Sequence, residues 1–156
     1  MTKEQEKQYS DLKKKYKLPD FNELNKELEI TSIEETDFLL RAITRKASEK
    51  LDFYASLIEE MLQPDTSNLY SMHEARFFTQ DEKNSMNELY ARMMKLARES
   101  IEMSLDNTEE NEAKFISLFF SEWKAIKHQL IIYVRKMKSS WNEKTDSEEE
   151  TVGYMG

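Results

Sequence analysis

Apolar residues recur at threes and fours over three long stretches of this chain, the spacing that gives an α-helix one buried stripe. In the first, from about Ile33 to Gln63, the stripe is Leu40, Ile43, Ala47, Leu51, Tyr54, Leu57 or Ile58, and Met61. Ser32-Ile33-Glu34-Glu35 has the form of a capping box at its start, and Pro64 ends it. The second stretch, Gln80 to Leu105, carries Met86, Tyr90, Met93, Ala97, Ile101 and Ser104 or Leu105 behind the capping box Thr79-Gln80-Asp81-Glu82. The third, Thr108 to Trp141, opens on Asn107-Thr108-Glu109-Glu110 and carries Ile116, Phe119 or Phe120, Trp123, Ile126, Leu130, Tyr133 or Val134, Met137 and Trp141.

Each helix spans on the order of 40–50 Å at about 1.5 Å per residue, so the three are matched in length. The break at Asp106-Asn107 is too short for anything but a reversal. These features predict an all-α fold: an up-down-up bundle of three long antiparallel helices. Two shorter helical pieces precede it. Thr2 to Tyr16 has a thin stripe of Tyr9, Leu12 and Tyr16; a second piece begins at Asp20-Phe21-Asn22-Glu23 and points Phe21, Leu24, Leu28 and Ile30 one way. A further short helix, Asn68 to Arg76, is expected in the long first crossover. The expected organisation is a charged helical extension over 1–18, the bundle domain over 19–142, and an acidic, disordered tail over 143–156.

Composition sharpens this reading mainly by exclusion. The two glycines are Gly153 and Gly156, so the body of the chain is built without a residue suited to positive φ. That predicts no tight hairpin and no phosphate-cradling loop. The chain has no cysteine, hence no disulfide, thiolate nucleophile or cysteine-held metal. The start of the chain lacks the apolar core of a signal peptide, and the apolar run Leu130–Val134 is far too short for a bilayer, so a cytoplasmic protein without membrane contact is expected. A net charge of −8 opposes general adhesion to nucleic acid.

Catalytic and metal signatures are absent. The residue three before His73 is Tyr70 and the one three before His128 is Ala125, so neither histidine completes the Glu-x-x-His of a di-iron bundle. Almost all of the acids lie among polar neighbours at positions expected to face water, where nothing shifts a pKa toward acid–base work. The expectation is no enzyme, no cofactor and no metal.

What remains is surface. In the crossover Pro64–Phe78, one reading has Leu69, Met72 and Phe77 or Phe78 plugging the end of the bundle. The sharper one makes His73, Arg76 and Phe77 part of a partner-binding surface, since supported loops carry function. The third helix is apolar over more than half its circumference, which leaves Phe115, Leu118 and Ile131 either to be covered by the N-terminal piece through Phe21, Leu24 and Leu28 or to form an interface with a protein partner or a second copy. Its second half is basic, with Lys124, Lys127, Arg135 and Lys138 near one line about 20 Å long, bracketed by Trp123 and Trp141. Two accounts fit that layout. Basic residues at a helix C-terminus complement the macrodipole and would pair with Glu59, Glu60, Asp81, Glu82 and Glu88; the alternative is a nucleic-acid or ribonucleoprotein contact. The leading expectation is therefore a non-catalytic protein-binding or adaptor module.

Overall fold

The computed structural model describes residues 2–155, with side chains described over 2–142. The expected acidic tail, 143–156, lies outside the residues whose side chains are described. The fold is all-α, an up-down-up helical bundle with short N-terminal helices and a short crossover helix, and the described residues contain no strand. The helices are α1 (Lys3–Tyr16), α2 (Phe21–Leu28), α3 (Leu39–Leu62), α4 (Leu69–Ala75), α5 (Gln80–Leu105) and α6 (Glu109–Met155), with a 3-10 turn at Ile30–Ser32. The chain divides into two compact units, Met1–Phe53 with Met93–Lys124, and Tyr54–Arg92 with Ala125–Gly156.

In the first unit the N-terminal helices are fastened down by buried polar bonds. Thr2 and Gln5 form a reciprocal cap on α1, and the Gln5 amide also donates to the Glu34 carbonyl at 2.9 Å. The buried Tyr9 hydroxyl donates to the Pro19 carbonyl at 2.6 Å, and burial pushes its phenol pKa up. Asp20 caps α2 through the N–H groups of Asn22 and Glu23. Leu24 and Leu28 are buried, and the Glu27 carboxylate accepts the indole N–H of Trp123 at 2.8 Å. Lys50 donates to the Glu27 carbonyl and lies over the Trp123 ring at 5.2 Å, which places α2 against α3 and α6. The Ser48 and Ser100 hydroxyls meet at 2.7 Å.

Two expectations about the backbone are corrected here. First, the chain does use positive φ without glycine: Lys17 (φ 56°) and Glu29 (φ 50°) end α1 and α2 in the left-handed region. Each is followed by a buried aliphatic, Leu18 and Ile30, and the Leu18 N–H reaches back to the Lys13 carbonyl at 3.3 Å. The left-handed residue turns the chain so that the next side chain enters the core, and that burial offsets the strain. Second, α3 starts at Leu39, not near Ile33. Ser32 spends its hydroxyl on the Glu29 carbonyl, Ile33 is buried, and Glu34 offers its carbonyl to Gln5. Tertiary partners hold 33–36 outside any helix, so the capping pattern goes unused.

The second unit packs α4, the adjoining parts of α3 and α5, and the later part of α6. The capping box of α5 forms as the sequence implies, with the Thr79 N–H on the Glu82 carboxylate at 2.9 Å and the Glu82 N–H on the Thr79 hydroxyl at 3.1 Å. Along α5 the buried residues are Met86 and Leu89 in this unit and Met93, Leu96 and Ser100 in the first. This is a three-four alternation; the sequence stripe had favoured Tyr90, half-buried here, and Ile101, which is exposed.

Candidate functional site

The short helix α4 determines what the second unit shows to its surroundings. Asn68 caps it by accepting the N–H groups of Tyr70 and Ser71 at 3.0 and 3.3 Å, and Asp65 holds the preceding turn through the Ser67 hydroxyl at 2.7 Å. That hydroxyl and the Ser67 N–H hold the Asp65 carboxyl below its usual pKa. The capped start fixes the helix rotation. Ser71 and Ala75 turn inward together with Phe78, and their small side chains let the helix sit close to its support. Leu69 and Tyr70 are thereby turned out, 79% and 69% exposed. Leu69 does not plug the core as the sequence reading had it.

Trp141 of α6 stands beside this edge. Its ring lies 5.7 Å from that of Tyr70 and 4.4 Å from that of His73, and its indole N–H donates to the Glu74 carboxylate at 3.2 Å. Asp65, Ser67, Asn68, Leu69, Tyr70 and Trp141 line an open groove of about 590 Å³. The buried His73 packs against the Trp141 ring, and its Nε2, 3.0 Å from the Ser140 carbonyl, must carry the proton, since a carbonyl only accepts.

In the first unit a smaller groove of about 350 Å³ is lined by Glu99, Glu102, Asp106, Lys114, Phe115 and Leu118 among others. Its acids do not converge: among the described residues no group of three or more His, Asp or Glu side chains is placed to hold a metal ion. Nearby at the start of α6, the buried Glu112 sits 3.8 Å from the Arg41 guanidinium. Turned with its oxygen toward Arg41, the Asn107 amide accepts from Arg41 Nε at 2.9 Å and donates to Glu112 at 3.1 Å. Burial pushes the Glu112 pKa up, and Arg41 pulls it part of the way back.

No family model, curated protein or solved structure matches this chain. Function therefore has to be read from its own surfaces.

The residues singled out from sequence are distributed over both units. His73 is buried, Phe77 half-buried and Arg76 exposed, all at the end of α4. Phe115 is buried (3% exposed), packing its ring 6.4 Å from Phe119, whereas Leu118 is partly exposed on the first unit's groove. Ile131 is exposed on the second unit. Lys124, Lys127, Arg135 and Lys138 all reach solvent. Of the acids named as their neutralisers, Glu82 takes Lys136, which also lies over the Phe78 ring at 5.6 Å. The pairing of Tyr70 with Trp141 across α4 and α6 is not legible in the sequence. The Asn68 cap followed by Ser71 and Ala75, small residues four apart, was the available signal that α4 faces inward with that side and outward with Leu69 and Tyr70.

No helix among the described residues is long and apolar enough to cross a membrane.

Proposed function

We propose that this chain is a non-catalytic helical-bundle protein that binds another protein through the groove between α4 and α6. One observation carries the reading: Leu69 and Tyr70 are held outward by a capped, packed helix next to the half-buried Trp141. Rigid aromatic and aliphatic anchors in a supported groove supply most of the energy of typical interfaces, because little side-chain entropy is lost when they are covered. His73 acts beneath the surface, positioning Trp141, and Ile131 extends the apolar area along α6. The working compartment in this reading is the cytoplasm, where a chain without cysteine forgoes nothing.

A photo-crosslinking amino acid placed at Tyr70 in the full chain tests this in extracts of the source cells. The expected result is a discrete adduct that is absent when the same group replaces the exposed Arg45 and is lost on Trp141→Ala. Equal, diffuse labelling from both positions would remove the reading. Adducts of doubled mass would identify a second copy of the chain as the partner.

A second reading, a nucleic-acid or ribonucleoprotein-associated factor, is favoured by the exposure of Arg135 and Lys138 on α6. It requires RNA or DNA affinity that falls steeply with salt and is abolished by Arg135→Glu with Lys138→Glu.

A further inference from the structure

Trp141 lies at one end of a longer face of α6. On α6, Ile131, Val134, Lys138 and Trp141 follow one another at intervals of three and four, which keeps them within about 80° of helix circumference. Ile131 and Val134 are both exposed about one turn apart, and Lys138 and Trp141 continue that face toward Tyr70, so a strip from Ile131 to Trp141 runs about 15 Å along α6. All of these residues belong to the second unit. Such a strip matches the i, i+3, i+7 anchors of an amphipathic helix of about three turns.

The charge around the strip narrows the partner further. Between Lys124 and Asn142 the sequence contains no Asp or Glu, and Arg135 and Lys138 are exposed. Lys136 does not contribute, because Glu82 already holds it. On a chain of net charge −8 this stretch of α6 is basic, and Asp65 is the acid on the groove lining. We infer that the surface formed by Leu69, Tyr70, Val134, Ile131 and Trp141 docks an amphipathic helix of a partner protein whose apolar face is flanked by Asp or Glu. The inference rests on the protein-binding reading and specifies what that partner presents. A nucleic acid would use the two cations but leave Leu69, Ile131 and Val134 uncovered, since aliphatic side chains give bases no stacking surface.

Two designed peptides of about 15 residues decide the matter by fluorescence anisotropy against the full chain. Both carry leucine at i, i+3, i+7 and i+10; one has Glu flanking positions and the other Lys. The Glu peptide should bind at least about tenfold more tightly than the Lys peptide. Arg135→Glu with Lys138→Glu should invert that order, and Val134→Asp or Tyr70→Ala should weaken the Glu peptide by about tenfold or more, with helicity unchanged by circular dichroism. Equal binding of both peptides, no binding of the Glu peptide up to about 1 mM, or an order unaffected by the charge reversal overturns the inference. Tighter, Arg135- and Lys138-dependent binding to phosphatidylserine vesicles or to a single-stranded RNA oligonucleotide does so as well. If crosslinking from Tyr70 still traps a protein while the Glu peptide fails, the acidic-helix inference falls and the protein-binding reading stands.

Discussion

The imidazole of His73 links α4 to α6: its Nε2–H donates to the Ser140 carbonyl at 3.0 Å while its ring packs 4.4 Å from that of Trp141. Phe77 closes the other side at 5.0 Å. One buried side chain thus fixes the ring on which the proposed docking groove depends.

His73→Ala removes that bond and leaves a cavity beside Trp141. We expect a loss of about 2 kcal/mol. At this chain length that is about 4–8 °C in Tm, read by differential scanning calorimetry. Trp141 should also become more accessible to acrylamide quenching. An unchanged Tm with unchanged quenching would show that His73 does not hold the stack.

Leu69→Ala and Tyr70→Ala should behave in the opposite way. Both side chains are mostly exposed, so stability should stay within about 0.5 kcal/mol of the parent while partner capture is lost. Denaturant melts and the crosslinking assay, run on the same preparations, separate the two effects. A large loss of stability would mean these residues serve packing.

Lys17 and Glu29 hold left-handed backbone at φ 56° and 50°. Glycine takes this conformation without the Cβ clash. Lys17→Gly and Glu29→Gly should therefore each stabilise the protein by about 0.5–1 kcal/mol, despite glycine's greater freedom in the unfolded chain. Urea midpoints at constant m-value provide the measurement. Destabilisation at both sites would contradict the geometry.

Glu112 should give a pH-dependent signature. Its folded-state pKa is raised, chiefly by burial, so the native state holds its proton more tightly than the unfolded chain does. The resulting stabilisation is full below the unfolded pKa and disappears as pH rises through the folded value. Glu112→Gln should gain stability over the parent at neutral pH, and the gain should shrink as pH falls toward the ordinary carboxylate range. The opposite trend would mean that the Arg41 pair outweighs burial.

Glu82 has the opposite sign. Hydrogen bonds from Lys136 and from the Thr79 N–H hold its carboxyl below the usual pKa. That stabilisation is present above the unfolded pKa and is lost as pH falls through the folded value. Lys136→Met should cost less than about 1 kcal/mol at neutral pH, because both partners remain partly exposed, and should cost nothing once Glu82 is protonated. Tm measured across pH 3–7 or so reads both effects.

Helix number, direction and the α5 boundaries were legible in the sequence because hydrophobic period, capping pairs such as Thr79 with Glu82, and the stop at Pro64 are local properties of neighbouring residues. The candidate site was legible only in part. Ile131 and the crossover read as candidate surface, but the rotation of α4 does not show in the sequence, which leaves Leu69 open to a reading as a core plug. Five apolar residues within a helical turn or two of each other all satisfy a stripe; which of them faces inward depends on what lies opposite.

That choice belongs to the tertiary structure. Gln5 and Glu34 lie far apart in sequence, yet their contact helps hold 33–36 out of the helix, and α3 starts at Leu39. The same kind of long-range partner, Ser140 for His73 and Glu27 for Trp123, decides which aromatic rings are fixed and which faces they leave open. Periodicity along a chain specifies that a helix has an apolar side; only packing against other helices selects the angle, because burial is gained jointly by both surfaces.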